Sequence, residues 1–203
     1  MVLPSLPHEY WMQQAIALAD QAGQVGEIPV GAILINHEQR ILAATQNRKQ
    51  RDQDPTAHAE ILAIQAGCQQ SGHWRLNDCT LYVTLEPCPM CAGAIIQARL
   101  GQLVYGTPDP KTGTIHSVLD LPNSPASFHR LTVTAGICQD QCRQQLQRWF
   151  AAHRQRQKSQ KSKPHVLAEN VGFAETTLSS MPSQSALDVK LTDGDKPLPP
   201  LIG

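Results

Sequence analysis

The sequence predicts an α/β fold in which a sheet is covered by helices on both faces. Short apolar, β-branched runs alternate along the chain with segments of helical period, the pattern of strands connected by helices. Eight of the nine aromatic residues precede position 151, leaving Phe173 alone beyond it, so the core belongs to the first three-quarters of the 203 residues. With 41% hydrophobic and 17% charged residues, one ordinary domain is expected.

Tyr10, Trp11, Ala15, Ile16, Leu18, Ala19 and Ala22 recur near helical spacing, which predicts an amphipathic helix from about His8, ended by Gly23 and Gly26. Val30 to Ile35 and Ile41 to Ala44 flank the polar segment AsnHisGluGln and read as a β-hairpin, with Asn47 after its second strand. Asp54 and Pro55, with Thr56 as N-cap, open a helix that carries His58 in its first turn and runs to about Gly67. Thr80 to Leu85 is a strand. Glu86-Pro87-Cys88-Pro89 then turns into a helix over Met90 to Ala98, because proline is tolerated in a first turn. Leu103 to Gly106 and Leu131 to Ala135 are short strands, and Ile137 to about Gln157 is a long helix. From position 158 on, prolines, serines and balanced charge without an apolar period predict a disordered polar tail, 158–203, after a domain over 1–157.

No window is apolar enough to span a bilayer, and the start MVLPSLPHEYW lacks the features of a secretion signal, so a cytoplasmic protein with no membrane association is expected. Six cysteines are too sparse for a disulfide scaffold, and close pairs in a reducing compartment point to metal first. The zero net charge hides an uneven distribution. Gln141 to Lys163 holds seven basic residues (Arg143, Arg148, Arg154, Arg156, Lys158, Lys161, Lys163) and no acid, a run that reads either as a solvated helix face or as a nucleic-acid surface.

Cys88 and Cys91 share one face at the start of a helix, where backbone N–H groups favour thiolates and both sulfurs can reach one ion. Alone, this C-x-x-C also suits a redox pair or two buried small residues. His58, in the first turn of another helix that follows a strand, can lie at the same end of the sheet. Three protein ligands leave a fourth position for water, the arrangement of a catalytic zinc site, where bound water has a pKa of about 7. Glu60, two residues from His58, is placed to take a proton from that water and deliver it to a substrate. Cys138 and Cys142, at i and i+4, read as packing rather than a second metal site, and Cys68 and Cys79 as core or surface thiols. His116 and His129 are weaker candidates for substrate contact.

HisAlaGlu (58–60) followed by ProCysProMetCys (87–91) matches the H-x-E and P-C-x-x-C pattern of the zinc nucleobase deaminases. The match extends to HisGluTyrTrpMet (8–12), IleProValGlyAla (28–32), AsnArg (47–48), AspProThrAlaHisAlaGlu (54–60), LeuTyrValThrLeuGluProCys (81–88), CysAlaGlyAla (91–94) and AspProLysThrGly (109–113). Over roughly residues 8 to 157 the chain resembles the bacterial tRNA adenosine deaminases. That resemblance implies a three-layer α/β/α cytidine-deaminase-like fold with a central mixed sheet of about five strands. It also implies a homodimer and conversion of adenosine to inosine at the wobble position of an arginine tRNA, with one Zn2+ per subunit. His58, Cys88 and Cys91 would bind the zinc, and Glu60 would shuttle protons. Pro29, Val30 and Asn47 would line the base pocket, while Asp109, Lys111, Phe150 and Arg154 would contact the RNA of the anticodon stem-loop around the flipped nucleotide.

Two rival readings fit the same motifs. A guanine or other free-base deaminase shares the zinc motif, although AspProLysThrGly and the basic helix favour RNA. A noncatalytic zinc-stabilised RNA-binding module would need a fourth protein ligand, and no convincing one is present.

Overall fold

The computed structural model describes residues 6–161, with side chains described through Ser159. In chain order it contains α1 (His8–Gln24), β1 (Gly31–Ile35), β2 (Ile41–Gln46), the short α2 (Lys49–Asp52), α3 (Ala59–Ser71), β3 (Thr80–Leu85), α4 (Pro89–Gln97), β4 (Gln102–Thr107), β5 (Thr132–Ala135) and α5 (Gln139–Lys161). The five strands form one mixed sheet in the order β2-β1-β3-β4-β5. β1 is antiparallel to both β2 and β3, whereas β3, β4 and β5 are parallel.

The pleat sorts the core into two layers, because successive strand residues face opposite sides. Ala32, Leu34, Leu81, Val83, Leu103 and Tyr105 pack with Ala59, Ala63 and Ile64 of α3 and Ala92 and Ile95 of α4. Ile33, Ile35, Tyr82 and Val104 pack with Trp11, Met12 and Ala15 of α1 and Cys142 of α5. The expected three-layer α/β/α fold is therefore present. Gly31 is needed where β1 passes under α1, since a Cβ there would strike the Ala15 carbonyl.

The topology also determines where a site can form. β2 runs in the same direction as β3 and β4, being antiparallel to β1 as they are. Their C-terminal ends at Gln46, Leu85 and Thr107 therefore share one end of the sheet with the start of β1. Loops after parallel strands at such an end are the usual place for ligands in open α/β sheets.

Several boundaries differ from expectation. α3 begins at Ala59 and continues to Ser71, with His58 as its N-cap. Thr56 does not cap it. Asp54 Oδ1 accepts hydrogen bonds from both the backbone N and Oγ1 of Thr56, which closes a separate turn ahead of the helix. Gly23 lies inside α1, whose chain leaves through Val25 and Gly26 at φ +90°. Cys138 at φ +53° precedes α5 and is not part of it. α5 runs beyond Gln157 to Lys161, and the rest of the expected tail lies outside the described residues. Among the described residues no helix is long and apolar enough to cross a membrane.

Candidate active site

His58 and Cys88 are the N-cap residues of α3 and α4, yet neither side chain caps its own helix. Asn47 takes over that work at α3. Its Oδ1 accepts from Ala59 N at 2.9 Å, while its Nδ2 donates to the Ile28 carbonyl at 3.1 Å. One buried amide thus satisfies an orphan donor of the helix, ties it to the loop before β1 and leaves the His58 imidazole free. Pro89 at the first position of α4 has no N–H to satisfy.

The freed side chains converge. His58 Nδ1 lies 3.8 Å from Cys88 Sγ and 3.5 Å from Cys91 Sγ, and the two sulfurs are 3.6 Å apart. It is the group of three or more His, Cys, Asp or Glu side chains among the described residues whose donor atoms could hold one metal ion. Their electrostatics suit a cation. Hydrogen bonding from Cys91, opposed by burial and aided by His58, brings the Cys88 thiol down to about 4. Cys91 is pushed upward, first by donating that bond and then by burial, and His58 is raised chiefly by its contact with Cys88. Two sulfurs and an imidazole nitrogen are the donor set zinc prefers, and three donors leave a position open.

Glu60 sits one residue into α3 and is only 4% exposed. Its Oε2 is buried without a hydrogen-bond partner, and burial pushes the carboxyl above its ordinary value, partly offset by its own backbone N–H and the charge on His58. An unsatisfied buried oxygen beside the His-Cys-Cys cluster suits a proton acceptor whose partner arrives with the substrate.

Both groups open into a cavity of about 500 Å³. Val30, Asn47, Asp109, Lys111 and Phe150 line it. Pro29 does not; it lines the neighbouring groove between α1 and α5 with Trp149, while Ile28 takes its place at the cavity. Arg154 is exposed and lies off the cavity wall, one turn beyond Phe150. The face of α5 that does reach the wall is Arg143, Leu146, Gln147 and Phe150, spaced as i, i+3, i+4 and i+7. Asp109 spends its carboxylate locally, accepting from Lys111 N at 2.9 Å and Thr112 Oγ1 at 2.7 Å, so it shapes the loop around Lys111.

Sequence reasoning missed Glu86. Only 1% exposed, it accepts at Oε1 from the backbone N of Ile115, His116 and Ser117 at 3.1, 2.8 and 2.9 Å. Its Oε2 accepts from Asp109 N at 3.0 Å and from the Ser117 hydroxyl. Burial alone would raise this carboxyl, but the hydrogen bonds outweigh it and hold it below its ordinary value. Gly113 packs so closely on the carboxylate that any Cβ would collide with it. The glycine of AspProLysThrGly was the available clue, because it marks a close approach to something.

The other candidates have structural roles. Tyr105 Oη and His116 Nδ1 pair at 3.0 Å, and His129 Nε2 donates to the Leu100 carbonyl at 2.6 Å. Cys142 is fully buried beneath β4, and burial pushes it up to about 12; Cys79 is likewise buried at about 12. Cys68 Sγ points to the Trp74 carbonyl.

A His-Cys-Cys cluster at two helix N-termini that could hold a metal ion, beside a buried glutamate at the C-terminal ends of the strands, fits a hydrolytic deaminase on a cytidine-deaminase-like fold. The MafB19-like deaminase family model matches residues 6–146. A tRNA-specific adenosine deaminase of Haemophilus influenzae is 43% identical over 154 residues, covering 76% of this chain and 89% of that protein. A solved structure from a study of A-to-I editing by tRNA:A34 deaminases at the wobble position superposes with a TM-score of 0.65 at 39% identity, over 67% of this chain and 98% of that one. A guanine deaminase from Bacillus subtilis is more distant, at TM-score 0.50 and 30% identity over 74% of this chain and 95% of that one. The chain belongs to the tRNA-specific adenosine deaminase family.

Proposed function

We propose that this protein hydrolyses adenosine to inosine at the wobble position of a tRNA anticodon, an arginine tRNA, with one zinc ion per subunit, as a cytoplasmic homodimer. The observation that carries the reading is the convergence of His58, Cys88 and Cys91 beside the unpartnered Glu60 Oε2 in one cavity. His58, Cys88 and Cys91 would hold the ion, and when bound it supplies Lewis-acid activation of water at neutral pH. Glu60 accepts a proton from the water that attacks C6 and returns it to N1. It then carries the second proton to the departing amino group, so adenosine and water give inosine and ammonia. Asn47, with one N–H beyond its bond to Ile28, can hold the base edge. Phe150 offers a ring face beside it, and Lys111 a positive charge at the wall.

The RNA substrate is supported by the relatives' names and by the basic run on α5. Arg154 and Arg156 stand outside the cavity, where they would meet stem phosphates. A second copy would cover the exposed Trp74 and Phe128, whose rings flank the Arg99 guanidinium at 6.0 and 5.8 Å. Incubation with an anticodon stem-loop carrying wobble adenosine, and separately with free guanine, tests the reading. Inosine in the RNA is the expected product, and xanthine from guanine with unchanged RNA would overturn it.

A further inference from the structure

We propose that Lys49 selects the substrate by gripping a phosphate that flanks the reacting nucleotide. This rests on the RNA reading above and names a residue for it.

Lys49 is the first residue of α2, and its place is prepared. The buried Glu27 accepts at Oε1 from Gln50 N at 2.7 Å and Arg51 N at 2.9 Å, which pins the four-residue helix to the loop before β1. The Lys49 side chain is half-buried at the wall of the catalytic cavity, and its ammonium has no hydrogen bond or ion pair with any described residue. Three other charged groups there are already engaged, whereas Lys111 carries its ammonium on an exposed residue and Glu60 is an acid. Glu86 holds the loop from 109 to 117, Asp109 holds Lys111 N and Thr112, and Arg143 pairs with Asp140 at 2.7 Å. A half-buried ammonium with its donors unused is a group awaiting an anion.

Lys49 also stands on a partition. A second cavity of about 530 Å³ adjoins the catalytic one, and Ile28, Asn47, Lys49 and Phe150 line both. A strand with its reacting base in the first cavity and its next residue toward the second must carry its backbone over this partition, where the phosphate meets the ammonium. A free base or nucleoside has no phosphate to offer there, so the contact separates a nucleotide within a strand from a small purine.

The test pairs residue with phosphate. Stem-loops carry a single neutral methylphosphonate either 5′ or 3′ of the reacting adenosine, on a 2′-O-methyl sugar, against matched 2′-O-methyl phosphate controls. With the parent protein, neutralising one of the two linkages is expected to lower kcat/KM on the order of tenfold, as for loss of a charge-assisted hydrogen bond. Lys49→Gln should show a similar loss on the phosphate control, no further loss on the neutral linkage, and a salt slope of binding shallower by about 0.7. Lys49→Arg should restore most of the rate and the sensitivity to the linkage. The proposal is overturned if the parent is indifferent at both linkages, an arm that needs no variant, or if the losses multiply in Lys49→Gln. If the parent leaves the all-phosphate stem-loop unchanged, the RNA reading itself has failed.

Discussion

Two buried glutamates line the same cavity and differ in almost every other respect. Glu60, at the start of α3, has an oxygen with no partner and a carboxyl raised by burial. Glu86, at the end of β3, satisfies both oxygens with the backbone and hydroxyl of the loop from 109 to 117 and is held below its ordinary value. Residue type and depth are alike, so the number of donors supplied by the surroundings decides the role. A carboxylate left short of partners can exchange a proton with substrate. One saturated with N–H groups is fixed as an anion and works as a rivet, joining the Pro87-Cys88 turn to the loop that carries Lys111.

The largest effects are expected at the proposed zinc ligands beside Glu60. Cys88→Ala or His58→Ala should lose bound zinc and all measurable deamination, read by metal analysis and inosine assay, because two protein donors hold the ion too weakly. Glu60→Gln should then cost about a hundred- to ten-thousand-fold in turnover while zinc stays near stoichiometric. Zinc loss in that variant as complete as in Cys88→Ala would make Glu60 a ligand and end the comparison.

Glu86→Gln should break the other side of it. The amide presents a donor where Asp109 N, Ser117 N or the Ser117 hydroxyl already donates, so the melting temperature should fall on the order of 5 °C. The sign with pH follows from the depressed carboxyl. Its stabilisation is complete above the unfolded value near 4.5 and disappears as pH falls through the lower folded value. Urea melts should therefore show the parent and Glu86→Gln differing at neutral pH and converging in acid. The smallest effect is expected far from both glutamates. Arg154→Gln with Arg156→Gln should weaken stem-loop binding and flatten its salt slope by up to about 0.7 for each phosphate no longer held, with zinc unchanged. Identical slopes would make this part of α5 a solvated face.

The contrast between the glutamates also explains what the sequence could reveal. His58, Glu60, Cys88 and Cys91 were legible because their chemistry is local, with spacings of two and three residues at helix starts. β3 was legible to the residue, its β-branched run being bounded by turn signals. Glu86 was not, since its partners lie 23 to 31 residues away and nothing in Glu-Pro-Cys announces them. Asn47 was read as a base contact, yet its bonds to Ile28 and Ala59 depend on how β2 meets α3. Arg143 shares the helical face of Phe150 and could have been found by period; Lys49 could not, because the four-residue α2 has no period to read.

The most direct test of the division of labour is a side-by-side measurement of kcat and KM on the wobble-adenosine stem-loop for Glu60→Gln and Glu86→Gln, with zinc quantified in both. Glu60→Gln should lose kcat with KM little changed. Glu86→Gln should keep zinc and show its loss mainly as a raised KM, because the loop bearing Lys111 is released. The same split in both variants, or a larger kcat loss in Glu86→Gln than in Glu60→Gln, would contradict the assignment of proton transfer to one carboxylate and loop anchorage to the other.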